Sequence, residues 1–159
     1  MADGLLKWIF ILDEEFSWQS GHGDSFGAGC AFEDVGGKRR LELRPGGTIH
    51  VLPGYAWDGC SPKFAFLDVA WGTPDGVPNH STTKPKAYYA SLVHDALYQF
   101  LDDDLPLSRA QADRIFYDIL VKHDFYLAGF YYRAVRIFGG IAHAITRRKR
   151  GYAGKKITL

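Results

Sequence analysis

A chain of 159 residues with 47% apolar and 15% aromatic side chains is long enough to bury a core and too apolar to stay disordered. The net charge of +1 conceals one strongly basic end, Arg147-Arg148-Lys149-Arg150 with Lys155 and Lys156, and the two cysteines, Cys30 and Cys60, exclude a disulfide framework while leaving room for one bridge. No stretch reaches the roughly 18 apolar residues of a membrane-spanning helix, and the apolar run from Leu5 to Leu12 lacks the basic flank, long apolar core and small-residue cleavage site of a signal peptide.

Residues 1–57 read as strands and turns. Short apolar runs at Leu6 to Leu12, Ala28 to Glu33, Arg39 to Arg44 and Thr48 to Leu52 are punctuated by glycines and polar residues, and Pro45-Gly46-Gly47 predicts a hairpin between the last two. The alternation in Arg40-Leu41-Glu42-Leu43-Arg44 predicts a strand with one exposed face. From Tyr55 to Pro85, prolines at 62, 74, 78 and 85 mark a long irregular segment, a feature that is uncommon in compact domains and often functional.

The remainder carries helical spacing. One helix is predicted from Lys86 to Leu101, ended by Asp102-Asp103-Asp104-Leu105-Pro106, with the acidic triplet as a solvated terminus. A second begins at Ser108, where Gln111 three residues on completes a capping box, and runs to about His123. A third, from about Tyr126 to Arg150, is expected to be interrupted or kinked at Gly139-Gly140, since each glycine weakens a helix by about 1 kcal/mol relative to alanine. The basic residues beyond it read as a solvated helix end and a flexible tail. The fold class is therefore α+β within one domain: a small β-rich part at 1–57, a loop and three-helix core at 58–150, and a basic tail at 151–159.

Within the first of these helices, Leu92-Val93-His94-Asp95-Ala96-Leu97-Tyr98 places an imidazole, a carboxylate and a phenol in an apolar run, where such groups are costly unless paired or bound. His94 and Tyr98 share a face, and Asp95 points about 100° away from His94. If the first two helices run antiparallel, His94 and Asp113 come to similar heights, and a carboxylate is the usual device that fixes the tautomer of a histidine base. A satisfied core pair is the structural alternative. Asp58 and Asp95 make a second pair suited to a hard cation such as calcium, with the Gly59 backbone free to turn its carbonyl inward; zinc is poorly served by this set. Against that stands a simple Asp58-Gly59 turn, with Asp95 as a surface partner for Arg114. His22, His50, His80, His123 and His143 show no ligand spacing and read as loop or surface histidines. The aromatic residues from Phe125 to Phe138 read as core and interface.

Taken in order, these motifs resemble the phospholipase A2 superfamily, most closely its small bacterial and fungal members. The correspondences are the helix motif His94-Asp95-x-x-Tyr98, the loop Asp58-Gly59-Cys60, the run Asp113-Arg114-Ile115-Phe116, and the closing Tyr131-Tyr132-Arg133-Ala134-Val135-Arg136-Ile137-Phe138-Gly139. The chain also resembles a family of phage and prophage proteins in which a Pro-Gly-aromatic step, here Pro53-Gly54-Tyr55, leads to an Asp-Gly-x-Ser loop and the same His-Asp helix. In this chain Pro62 directly follows Ser61, one place earlier than in that family. The first resemblance implies that His94 activates water for attack on an ester carbonyl and that Asp113 orients it. It further implies that Tyr98 supports Asp113 and that calcium is held by Asp58, the Gly59 carbonyl and Asp95. The implied partner is a phospholipid or membrane surface. The second resemblance implies a virion or lysis-associated role, in the virion or the host cytoplasm, with a non-catalytic virion or tail component beside other phage virion proteins as the alternative. The basic end is a weaker pointer to nucleic acid, which is not the expected partner.

Overall fold

The computed structural model describes residues 10–57, 84, 86–150 and 154–159, with 141–150 as helical backbone alone. In chain order the elements are β1 (Phe10–Ile11), β2 (Phe16–Gln19), a short α1 (Gly23–Phe26), β3 (Cys30–Glu33), β4 (Arg39–Arg44), β5 (Thr48–Val51), β6 (Ala56–Trp57), α2 (Tyr88–Gln99), α3 (Arg109–Lys122), α4 (Ala128–Arg150) and β7 (Lys155–Thr158). The chain is α+β, with its strands concentrated before the long helices.

Five strands form an antiparallel sheet in the order β2-β5-β4-β3-β7, and β1 pairs separately with β6. The predicted hairpin is present: Arg44 lies opposite Thr48, and Gly46 and Gly47 take φ of 84° and 95°, which side-chain-bearing residues rarely adopt. A Cβ at Gly47 would also stand 2.8 Å from the Gly23 backbone nitrogen, so the turn packs tightly on α1. Alternation sends Leu41, Leu43, Ile49, Val51 and Phe32 to one face, where all are completely buried.

The opposite face departs from expectation. Glu42 is buried although its alternation predicts exposure, because the Arg39 guanidinium donates to its Oε1 at 3.2 Å and that of Arg44 to its Oε2 at 2.8 Å, covering the carboxylate they neutralise. Burial pushes the Glu42 carboxyl up, but the hydrogen bonds from Arg44 and Arg39 outweigh it and hold the group below the usual range. His50, directly across the ladder from Glu42, is likewise buried and bonds Glu15 through Nδ1, so it is not a surface histidine.

Helix α2 lays Leu92, Val93, Ala96 and Leu97 into the core without residual exposure. Aromatic contacts bind it to the sheet: Phe16 stacks on Tyr89 at 4.4 Å and Phe32 meets Phe100 at 5.3 Å between ring centres. The capping box opens α3 as predicted, with Ser108 accepting from the Gln111 backbone and the Gln111 side chain accepting from Ser108 N at 2.8 Å. Tyr89 lies against His123 and His94 against Phe116, while Tyr98 reaches Asp113, so α2 and α3 run antiparallel. Helix α4 continues through Gly139-Gly140 without the expected interruption.

The expected flexible tail is instead a strand. β7 completes the sheet on the β3 edge, from Glu33 opposite Lys155 to Cys30 opposite Thr158. The acidic triplet is part of its anchorage: Gly154 N donates to Asp103 Oδ2 at 3.2 Å and Lys156 Nζ to the Asp104 carbonyl at 2.7 Å. Hydropathy does not report such a strand, because Lys-Lys-Ile-Thr has a single apolar residue and its pairing is made by backbone groups. Deleting residues 155–159 uncovers β3 and its ladder, and is expected to lower stability by on the order of 2–4 kcal/mol in denaturant titration.

Candidate functional site

The site forms where one side of α2 meets α3. Ser91, His94, Asp95 and Tyr98 project from neighbouring positions of α2 over two turns. Trp57, at the end of β6, is completely buried and donates its indole N–H to Ser91 Oγ at 3.2 Å, so the described β part ends against the turn that precedes His94. Phe10 and Tyr88 close around the same indole, at 5.4 and 4.9 Å between ring centres.

His94 is buried between the rings of Tyr98 and Phe116, at 4.1 and 4.9 Å. Its Nε2 lies 2.9 Å from Asp113 Oδ1, and the Tyr98 hydroxyl donates to the same oxygen. The other oxygen, Oδ2, accepts from Arg136 Nη1 of α4 at 2.8 Å, with Arg109 Nη1 of α3 4.0 Å away. A carboxylate only accepts, so Nε2 is the nitrogen that carries hydrogen and Nδ1 is left with its lone pair in the neutral ring. Among the described residues Nδ1 has no hydrogen-bond partner.

Asp113 has no exposure, and burial alone would raise its carboxyl. Hydrogen bonds from His94, Tyr98 and Arg136 win, and hold it below the usual carboxylate range. The Tyr98 phenol is pushed the other way, well above its ordinary value, first by burial and then by its hydrogen bond to an anion, against the smaller effect of Arg109. Tyr98 is thus a fixed donor and Asp113 a fixed acceptor.

Gly139 explains why α4 tolerates the glycine pair. A Cβ there would stand 2.7 Å from the Tyr98 hydroxyl, so the helix gives up a side chain to let the phenol reach Asp113. The helix stays intact because packing against α2 and α3 outweighs glycine's weak propensity.

Of the predicted site residues, His94, Tyr98 and Asp113 converge. Asp95 is half-buried on α2, and the Arg114 proposed as its alternative partner is bonded to Asp118 at 2.9 Å. Asp58, Gly59 and Cys60 lie outside the described residues. Among the described residues there is no group of three His, Cys, Asp or Glu side chains that would hold a metal ion. Sequence reading assigned Arg136, Arg109 and Gly139 no part in the site. Arg109 stands four residues before Asp113, a legible helical pair; Arg136 and Gly139 act across a helix interface and leave no local signal. Comparison with protein-family models, curated proteins and solved structures finds no match.

Two predictions follow from the network. Because the Asp113 carboxyl sits lower in the folded chain than in the unfolded one, its stabilisation is complete above the unfolded carboxylate value of about 3.9 and is lost as pH falls through the folded value. Asp113→Asn should therefore flatten part of the acid limb of a stability–pH curve measured by denaturant titration, while lowering stability at neutral pH. Gly139→Ala, which in an open helix would stabilise by about 1 kcal/mol, should lower the melting temperature, and should lower it less when introduced into Tyr98→Phe, which lacks the atom in the way but is itself less stable for want of a donor to Asp113.

Proposed function

We propose that the protein is a phospholipase A2-like carboxylic ester hydrolase in which His94 is the general base. The observation that carries this reading is the His94 Nε2 to Asp113 Oδ1 contact of 2.9 Å, which leaves Nδ1 as the basic nitrogen of the ring. In this mechanism Nδ1 takes a proton from water as the water oxygen bonds to the ester carbonyl carbon. Asp113, kept anionic by Arg136 and Tyr98, stabilises the imidazolium through Nε2 without accepting its proton. As the tetrahedral intermediate collapses, the imidazolium returns a proton to the leaving alkoxide, which departs as an alcohol. The fatty acid is the second product.

The donor set named for a cation is all oxygen, which suits calcium by chemistry. In this reading the Asp58 side chain, the Gly59 carbonyl and the Asp95 carboxylate hold it. Bound calcium would supply the positive charge that the developing oxyanion needs. Two described residues support it: Asp95, which stands beside His94 on α2, and Trp57, which brings the chain to α2 immediately before residue 58.

The purified chain in millimolar calcium is expected to release fatty acid from phospholipid vesicles or short-chain lecithins. His94→Gln should lower the rate by roughly 10²–10⁴-fold, and chelation should abolish it. Release that persists in His94→Gln overturns the assignment of the base. No release from any ester leaves a non-catalytic component of a phage particle as the reading of the same residues.

A further inference from the structure

The five-stranded sheet ends in β2 on one side and β7 on the other, and among the described residues neither strand is paired on its outer side. A bare edge is a row of backbone donors and acceptors ready to take another strand, and proteins commonly cover it or charge it. Here both edges are charged, with opposite signs. Asp13 and Glu14, exposed and without an ion pair among the described residues, lead into β2 together with Glu15, whose side chain is 42% exposed beside His50. Lys155 and Lys156, both exposed, open β7.

The edges also match in direction and pleat. Each step of the order β2-β5-β4-β3-β7 is antiparallel, so an even number of reversals leaves β2 and β7 running the same way. Ser17, His50, Glu42, Ala31 and Ile157 are successive partners across the sheet and form one row on the face opposite Leu41 and Phe32. When β7 of one copy lies parallel to β2 of the next and continues that row, Ile157 comes beside Ser17 of the second copy. Lys155 then comes beside its Glu15, two residues earlier on each strand and on the same face.

Charge selects this occupant over others. Two β7 edges brought together would seat four lysines on one seam, and residues 154–159 contain no carboxylate to offset them. The lysines thus guard the edge against its own kind while fitting a strand bordered by acid. The chain itself supplies such a strand, since β2 and β7 are each four residues long.

We infer that this protein associates head to tail, the β7 edge of one copy pairing in parallel with the β2 edge of the next, so that the sheet continues from chain to chain. A contact between unlike patches does not close on two copies but grows into a ring or a filament. So short a junction buries little surface, and the association is weak and favoured by high concentration. It rests on the sheet and not on the His94 reading, so either can fail alone.

The test is light scattering and sedimentation velocity of the full chain at rising concentration. The mass is expected to climb past that of two chains, and to fall back when salt screens the exposed charges. K155E, which reverses the sign of the β7 edge, and D13K/E14K, which reverses the border of β2, are each expected to weaken association by about tenfold or more. Mixed in equal amounts, the two variants should associate again, because each keeps the native edge that the other has lost. Circular dichroism checks that both remain folded. A chain that stays monomeric, a mass that stops at two copies, full association by either variant alone, or a mixture that stays monomeric overturns the inference.

Discussion

One buried carboxylate organises the helical half of this protein. Asp113 has no contact with solvent, yet it binds His94 and Tyr98 of α2 and Arg136 of α4 while belonging to α3. Moving such a charge out of water costs several kcal/mol, which only close partners offset. The three helices are therefore tied at a point where any loosening leaves an unpaired anion in the core. Apolar packing alone would let them slide by a fraction of a turn with little loss; hydrogen bonds of fixed length do not.

The same network distinguishes the two nitrogens of His94. A histidine retained only to fill the core is best served when both nitrogens are satisfied, because a buried polar atom without a partner costs about 1–3 kcal/mol. Among the described residues the network satisfies Nε2 and leaves Nδ1. Asp113, for its part, is kept ionised by Arg136 and Tyr98, so it can stabilise positive charge on the ring without competing for the proton. These are the two conditions that a histidine base sets on its surroundings, and a single set of side chains meets both.

What the sequence made legible follows from the range of the interactions involved. Spacing along one helix placed His94 and Tyr98 together, the capping box located the start of α3, and short-loop geometry brought Asp113 opposite His94. Each is a local rule, and each holds. Ion pairs that override alternation within one strand, and interactions between distant segments, were not legible. The Arg39–Glu42–Arg44 cluster buries a residue that strict alternation would expose, and β7 pairs through backbone groups that hydropathy does not weigh. Gly139 looked like a helix breaker because propensity counts the cost of the missing side chain and not the phenol that occupies its place.

That glycine also shows how α4 joins the two ends of the molecule's chemistry. On its packed side the helix must keep Arg136 within 2.8 Å of Asp113 and leave room for Tyr98. Within the next half-turn, Ile137 and Phe138 face outward. A helix is only about 10 Å across, so the exposed row and the partner of the buried carboxylate stand on opposite sides of one short span. Arg136 and Gly139 together hold α4 to one register, the first by its hydrogen bond to Asp113 and the second by the close approach of the Tyr98 hydroxyl. The exposed row and the partner of the buried carboxylate thus share one helix, whose packed side fixes the register of both.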